Sequence, residues 1–413
     1  MTSPSLPPPG SLAGLRVIEI GTSVAAPMAG QILGDLGAEV IKVERLGTGD
    51  DSRSWAPPHW NGDAVTFLAL NRNKKSIALD YKDERGRQIL EDLIASADVL
   101  IHNLRPGALA AAGFGHERLT ELNPRLINCE LTGFGRTGPR ADQPAYDPLL
   151  QAFSGMVSIT GEDGGAPSRV PVSLLDMGTG IWSVLSIYEA LRRRDVTGLG
   201  CHVETSLLQT ALSWLSIPLL TVLAGAPAPQ RMGSGLAGVV PYGAFPTEDG
   251  YVFVSAGNNQ LWQRLCQALD APDLFAADGF DRNENRVARR EAVNAALGAV
   301  TSRFSTVEVL RRLNEQKVPC APVQTLEQVA RDEQVAAVGA ITPLANERIP
   351  DFSVVNLPVT FDGVYPPNHS APPELGADTH DVLAGLGRSA EEIEQLRDAG
   401  VVAEARQNER VSR

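Results

Sequence analysis

Two short apolar runs bracket one helix near the start of the chain, and this arrangement restricts the fold more than any other feature. Arg16-Val17-Ile18-Glu19-Ile20 reads as a buried strand, Gly21-Thr22-Ser23 as a turn, residues 26–36 as a helix closed by Gly37, and residues 40–44 as a second strand. Parallel strands cannot be joined by a tight turn and need a crossover, usually a helix. A strand, a helix and a strand within ~30 residues therefore predict a βαβ unit and a parallel sheet. The alternation continues with strands at 74–80, 98–102, 126–131 and 202–207 and helices at 84–95 and 180–193. The expected fold class is α/β, a Rossmann-like large domain with a parallel sheet plus a smaller α/β domain. The turn after the first strand lacks GxGxxG, so binding of a nicotinamide dinucleotide does not follow.

Charge and composition remove several function classes. A net charge of −13 and a pI near 5.0 oppose general binding to nucleic acid or to anionic membranes. An anionic ligand would have to be held by a local basic patch. Cys129, Cys201, Cys266 and Cys320 are scattered, with no CxxC pair, and the six histidines form no HExxH. No metal site is expected, and the cysteines read as reduced thiols of a cytoplasmic protein. The N-terminus is rich in Pro and Ser without the basic start and apolar run of a signal peptide. No uninterrupted apolar stretch of ~18 residues predicts a membrane span.

Three places hold chemistry-bearing side chains. The run Val172-Ser173-Leu174-Leu175-Asp176 ends an apolar, strand-like segment on a carboxylate, just before the helix expected at 180–193. Asp176 reads either as a helix N-cap or as a sheltered acid, with Gly178 and Gly180 allowing close approach to the backbone. Arg72, Lys74, Lys75 and Lys82 form a basic knot, either a solvated face or a phosphate contact. Arg105 follows the strand at 98–102, and ligands of open α/β sheets bind beyond the carboxyl ends of strands; the other reading is a structural ion pair. Composition marks a flexible tail at 1–12, a large domain over 13–224, a Gly/Ala/Pro-rich passage into a small α/β domain over 225–330, a further stretch over 331–402 with a strand at 356–362, and a charged, disordered tail at 403–413. A single long helix is expected after residue 207, reaching about residue 223.

Ten short segments in order carry a resemblance. They include Leu12-Ala13-Gly14-Leu15-Arg16-Val17, Leu36-Gly37-Ala38-Glu39-Val40-Ile41-Lys42-Val43-Glu44, Asn71-Arg72-Asn73-Lys74-Lys75, Asn103-Leu104-Arg105-Pro106-Gly107, Tyr146-Asp147, Asp176 with Thr179-Gly180, and Pro319-Cys320-Ala321-Pro322-Val323. Together they resemble the class III CoA-transferase family (CaiB/BaiF), in particular formyl-CoA transferase. The resemblance implies an interlocked homodimer of ring-like chains, a return of residues 331–402 to the large domain, and CoA on that domain. It implies coenzyme A or acyl-CoA as a substrate, with no permanently bound cofactor. It places the nucleophilic aspartate on Asp176 and CoA contacts on Val24, Ala25, Arg45, Leu79, Lys82, Asn103 and Leu104, with Arg105 their neighbour. Tyr146 and Asp147 fall beside the thioester, and Gly233-Ser234-Gly235 on the substrate loop. The residues to hold an oxyanion are sought in the Gly21–Ala26 turn and in that loop.

The implied reaction moves CoA from an acyl-CoA donor to a carboxylic acid, through a mixed anhydride and an aspartyl-CoA thioester on Asp176. The acceptor is expected to be a small (di)carboxylate. Two alternatives are an alpha-methylacyl-CoA racemase-like epimerase and a non-catalytic acyl-CoA-binding protein. Racemisation needs two acid/base groups flanking the carbon. The racemases have a His where Tyr146 stands, and a phenol with an unperturbed pKa of about 10 is a poor base.

Overall fold

A computed structural model describes residues 10–405, apart from the side chains of Ala276 and Asp278. The chain forms two compact units: one holds the chain up to Ser154, Pro171–Leu220 and the chain from Ala336 on, and the other holds Gly155–Val170 and Thr221–Val335.

The first unit is built on a seven-stranded sheet. Its order is Val402–Ala403, Lys74–Leu79, Glu39–Glu44, Arg16–Ile20, Val99–His102, Ile127–Thr132 and Cys201–Ser206. Six strands are parallel; the Val402–Ala403 edge strand is antiparallel to its neighbour. Burial follows the pleat. Val17, Val40, Val99, Ile101, Ile127 and Cys129 face the helices Ala25–Asp35 and Leu174–Thr197, while Ile18, Ile41, Ile77 and Leu100 pack against Glu84–Ala95 and the C-terminal helices. The first strand sits in the middle. Its two neighbours are the second and the fourth strands in chain order, so the winding reverses between Ile20 and His102. Such a switch point opens a crevice at the carboxyl ends of the strands.

The second unit has its own core. Tyr242–Pro246, Tyr251–Ser255 and Cys320–Pro322 form an antiparallel sheet with Tyr251–Ser255 in the centre. Val252, Val254, Trp262, Leu265, Leu297 and Leu313 fill the space between this sheet and the helices Asn259–Ala268, Arg290–Thr301 and Thr306–Glu315. Arg286 is fully buried there, its guanidinium donating to the carbonyls of Val240 and Phe280 and to Asn259.

Several expectations need correction. The helix expected at 180–193 begins at Leu174, so Asp176 lies inside its first turn and is not an N-cap, and no strand precedes it. The two glycines that suggested a later start are tolerated because neighbours demand them. A Cβ on Gly178 would stand 2.4 Å from the Trp214 ring, and one on Gly180 would stand 2.8 Å from the Ala25 carbonyl. Val172, in the run read as buried, is exposed. The single helix expected after residue 207 is two, Leu207–Trp214 and Ser216–Leu223. Pro218 has no N–H to offer the carbonyl of Trp214, so the first helix stops there. The strand expected at 356–362 is instead Ser353–Val355, paired with Ile341–Pro343. Two residues placed in the expected tails are held in the fold. Leu12 is buried and its N–H donates to Leu36, while Ala403 pairs with Ala78. Residues 1–9 and 406–413 lie outside the described residues. All four cysteines are free thiols.

Candidate active site

The crevice at the switch point holds a cavity of about 390 Å³. Its floor is the turn after the first strand, and that turn is clamped from three directions. The Asn103 side chain accepts from Thr22 N–H at 3.0 Å and donates to the Thr22 carbonyl at 2.8 Å. Asp50 Oδ1 accepts from Ser23 N–H at 2.9 Å. The Lys42 ammonium donates to the Gly21 carbonyl at 2.8 Å. Ser23 has φ of 73°, a left-handed conformation sparse outside glycine, which these partners hold in place.

The clamp rests on a buried ionic network. Lys42 Nζ lies 2.6 Å from Glu19 and 2.8 Å from Asp50, and Lys74 Nζ lies 2.8 Å from the other Glu19 oxygen. Burial pulls both lysines toward the neutral form, but the charges of Glu19, Asp50 and Glu44 outweigh it at Lys42 and raise its pKa. At Lys74 burial wins, with Glu19 opposing it, and its pKa falls to about 8. Burial favours a neutral Asp50, yet the charge and hydrogen bond of Lys42 hold its pKa below the ordinary value. Buried ions are tolerated only when so matched.

This geometry takes Arg72, Lys74 and Lys75 out of the phosphate reading of the basic knot. Arg72 is buried in a two-pronged pair with Asp35, at 3.0 and 2.6 Å. Lys74 is spent on Glu19, Asn71 and the Pro27 carbonyl, and Lys75 pairs with Glu39. Lys82 is exposed, and its side chain makes no ion pair or hydrogen bond among the described residues.

Seven of the residues expected at the site line the cavity: Ala25, Arg45, Asn103, Leu104, Arg105, Tyr146 and Asp176. Arg45 pairs with Asp51 and donates to the Gly49 carbonyl. Arg105 is exposed and carries no ion pair or hydrogen bond among the described residues. Val24, Leu79, Lys82 and Asp147 are not among the lining residues. Leu79 is 1% exposed in the core, Val24 is buried, and Asp147 is turned inward. Gly233, Ser234 and Gly235 belong to the second unit. There Gly233 N–H donates to the Gly161 carbonyl at 2.8 Å, and Ser234 Oγ accepts from Ala244 N–H at 2.9 Å.

Asp176 differs from the other acids that line the cavity. Glu44, Asp50 and Asp51 each face a cation, whereas no group among the described residues donates to the Asp176 carboxylate. Burial, reinforced by the charge of Asp147, pushes its pKa from 3.8 up to about 7. It is therefore a sheltered acid that borders a cavity and changes charge near neutrality, the profile of a functional carboxyl group. Asp176, Asn103 and Arg105, singled out in the sequence, line the cavity. Sequence reasoning missed the supporting roles of Glu19, Lys42 and Asp50, since no short-range signal links Asp50 to Ser23, 27 residues away.

The model of CoA-transferase family III matches residues 12–379, and the chain belongs to that family. It is a family III CoA-transferase. Succinyl-CoA:glutarate CoA-transferase of Mus musculus is 36% identical over 392 residues, covering 95% of this chain and 90% of that one. Acetyl-CoA:oxalate CoA-transferase of Acetobacter aceti is 37% identical over 332 residues, covering 80% and 85%. Among solved structures, a CAIB/BAIF family protein from Brucella suis superposes with a TM-score of 0.85 at 35% identity, covering 92% of this chain and all of that one. No helix among the described residues is long and apolar enough to cross a membrane.

Proposed function

We propose that this enzyme moves CoA from an acyl-CoA donor to a small dicarboxylate, with Asp176 as the covalent nucleophile. The observation that carries this reading is the Asp176 carboxyl, unpartnered and sheltered, at the edge of the switch-point cavity. A carboxylate freed of hydrogen-bond donors and of water attacks a thioester better than a solvated one. Its oxygen adds to the thioester carbon and the C–S bond breaks, giving a mixed anhydride and CoA thiolate. The thiolate adds to the aspartyl carbonyl and expels the donor acid, leaving an aspartyl-CoA thioester. The acceptor carboxylate then displaces the thiolate to form the second anhydride. Return of the thiolate to the acceptor's carbonyl frees Asp176 and the new acyl-CoA. No net proton is consumed.

Each addition builds negative charge on a carbonyl oxygen. Within the Gly21–Ala26 turn, Thr22 and Ser23 N–H are already engaged by Asn103 and Asp50. That leaves Val24, Ala25 and Ala26 at the start of a helix, whose first N–H groups have no intrahelical acceptor. Arg105, lacking an ion pair, is the natural partner for a CoA phosphate. Relatives acting on glutarate and oxalate support a dicarboxylate acceptor.

We infer a homodimer as the working form, in which a second copy covers an apolar face of the nucleophile's helix. Met177, Ile181, Trp182 and Leu185 are 38%, 53%, 40% and 57% exposed, and contiguous apolar surface of this kind marks association. The test of the chemistry is Asp176→Ala. Transfer from succinyl-CoA to glutarate, and to oxalate, is abolished while the circular-dichroism spectrum is unchanged. Near-normal transfer by a folded variant refutes the assignment.

A further inference from the structure

The helix that carries Asp176 has no cap of its own. Ser173 occupies the N-cap position and makes no capping hydrogen bond. The first N–H groups of a helix are ordinarily met by the residue just before it. Here a carboxylate arrives from the helix Asp147–Phe153. Asp147 Oδ2 accepts from Leu175 N–H at 2.6 Å and from Asp176 N–H at 3.1 Å. Its Oδ1 accepts from Gln151 Nε2 at 2.5 Å, one turn along its own helix. Asp147 is 2% exposed and pairs with no cation among the described residues. The two oxygens of one buried carboxylate thus join the helix of the nucleophile to a neighbour.

We propose that Asp147 is the positioning residue of the nucleophile: it fixes the first turn of the Leu174–Thr197 helix from outside, holds Asp176 at the cavity edge, and does not touch CoA. This rests on the reading of Asp176 as nucleophile. A negative group at a helix N-terminus satisfies its N–H groups and its dipole together. The same placement sets a second negative charge beside Asp176, which favours protonation and makes the ionised carboxylate more basic.

No other group supplies that influence. Just beyond this turn, the neighbouring helices meet Gly178 and Gly180 with Ala25, Met28, Thr210 and Trp214, none of them ionisable. Of the ionisable groups lining the cavity, Glu44 faces Arg53, Asp50 faces Lys42 and Asp51 faces Arg45. Arg105, Tyr81 and Tyr146 complete the set. Asp147 is the one charge that perturbs Asp176.

Two measurements test the proposal without relying on turnover. The first is a carbon-13 NMR titration of the Asp176 carboxyl in aspartate-labelled protein, assigned by its loss in Asp176→Asn. In the isosteric Asp147→Asn the midpoint falls by about one pH unit. The second is calorimetric binding of free CoA, whose dissociation constant stays within about twofold in Asp147→Asn, because lost affinity belongs to contacting groups. In the transfer assay Asp147→Ala slows kcat on the order of a hundredfold, the penalty of a misplaced reacting group. An unmoved titration midpoint overturns the proposal. So does a tenfold or greater loss of CoA affinity, which makes Asp147 a ligand contact. Failure of the nucleophile assignment is separately visible, as transfer surviving in Asp176→Ala.

Discussion

Replacing Asp176 by Asn should stabilise the protein, and by an amount that depends on pH in a defined way. The carboxyl has its pKa raised from 3.8 to about 7 by burial and then by Asp147. A raised acid binds its proton more tightly in the folded chain than in the unfolded one. Ionising it therefore opposes folding, and the penalty grows as pH rises from the unfolded value to the folded one. At 1.36 kcal/mol per pH unit, the full penalty is about 4 kcal/mol above pH 7, and it drops below about 1 kcal/mol near pH 4. Asn has nearly the same shape and carries no charge, so it removes this penalty. The assay is urea unfolding of both proteins at pH 4, 6 and 8, at one protein concentration, comparing midpoints at unchanged slope. The expected gain is near zero at pH 4, intermediate at pH 6 and largest at pH 8. A gain independent of pH, or none at pH 8, refutes the idea that the fold forces this carboxyl toward its neutral form.

Two further outcomes follow from the cavity and its walls. Arg105→Ala removes an unpaired guanidinium and should weaken CoA binding by about 2 kcal/mol, the worth of a charge-assisted hydrogen bond. Calorimetry at low and high salt checks it, since the native enzyme should lose more affinity to salt than the variant. Gly180→Val places a Cβ 2.8 Å from the Ala25 carbonyl and 3.0 Å from Met28. The helices must part to admit it, and about 3 kcal/mol or more of stability is lost, read as a lowered thermal midpoint; an unchanged midpoint contradicts the close packing.

The parallel sheet was legible because its signals are local. Arg16–Ile20 and Glu84–Ala95 were expected with the observed ends, since each combines a periodic apolar pattern with a turn or a cap such as Asp83. The helix that carries Asp176 was misread because its signal is not local. Gly178 and Gly180 look like breakers until Trp214 and Ala25 are seen against them. Its missing cap was invisible for the same reason, being supplied by a residue 29 positions earlier. Three members of the basic knot were misread by another route: the charges of Arg72, Lys74 and Lys75 were real, but Asp35, Glu19 and Glu39 absorb them. Asp176 stood out by its apolar flanks, and the family resemblance reached the same residue; the competing N-cap reading fails because Ser173 holds that position.

The distribution of charge around the crevice explains how an acidic chain of net charge −13 can receive an anionic thioester. The acids closest to the strand ends are neutralised from within. Glu19 and Asp50 are matched by Lys42, Glu44 by Arg53 and Asp51 by Arg45. Asp50, and Glu19 through Lys42, fix the turn at Gly21–Ser23, and each of the four charges is answered close by before it can repel a ligand. Asp176 is partly protonated at neutral pH, so it too repels less than an ordinary carboxylate. What remains unmatched at the rim is Arg105. The local field is set by this one cation over a floor of closed ion pairs, and it can oppose the global sign because interactions between exposed charges fade beyond about 8 Å at physiological salt.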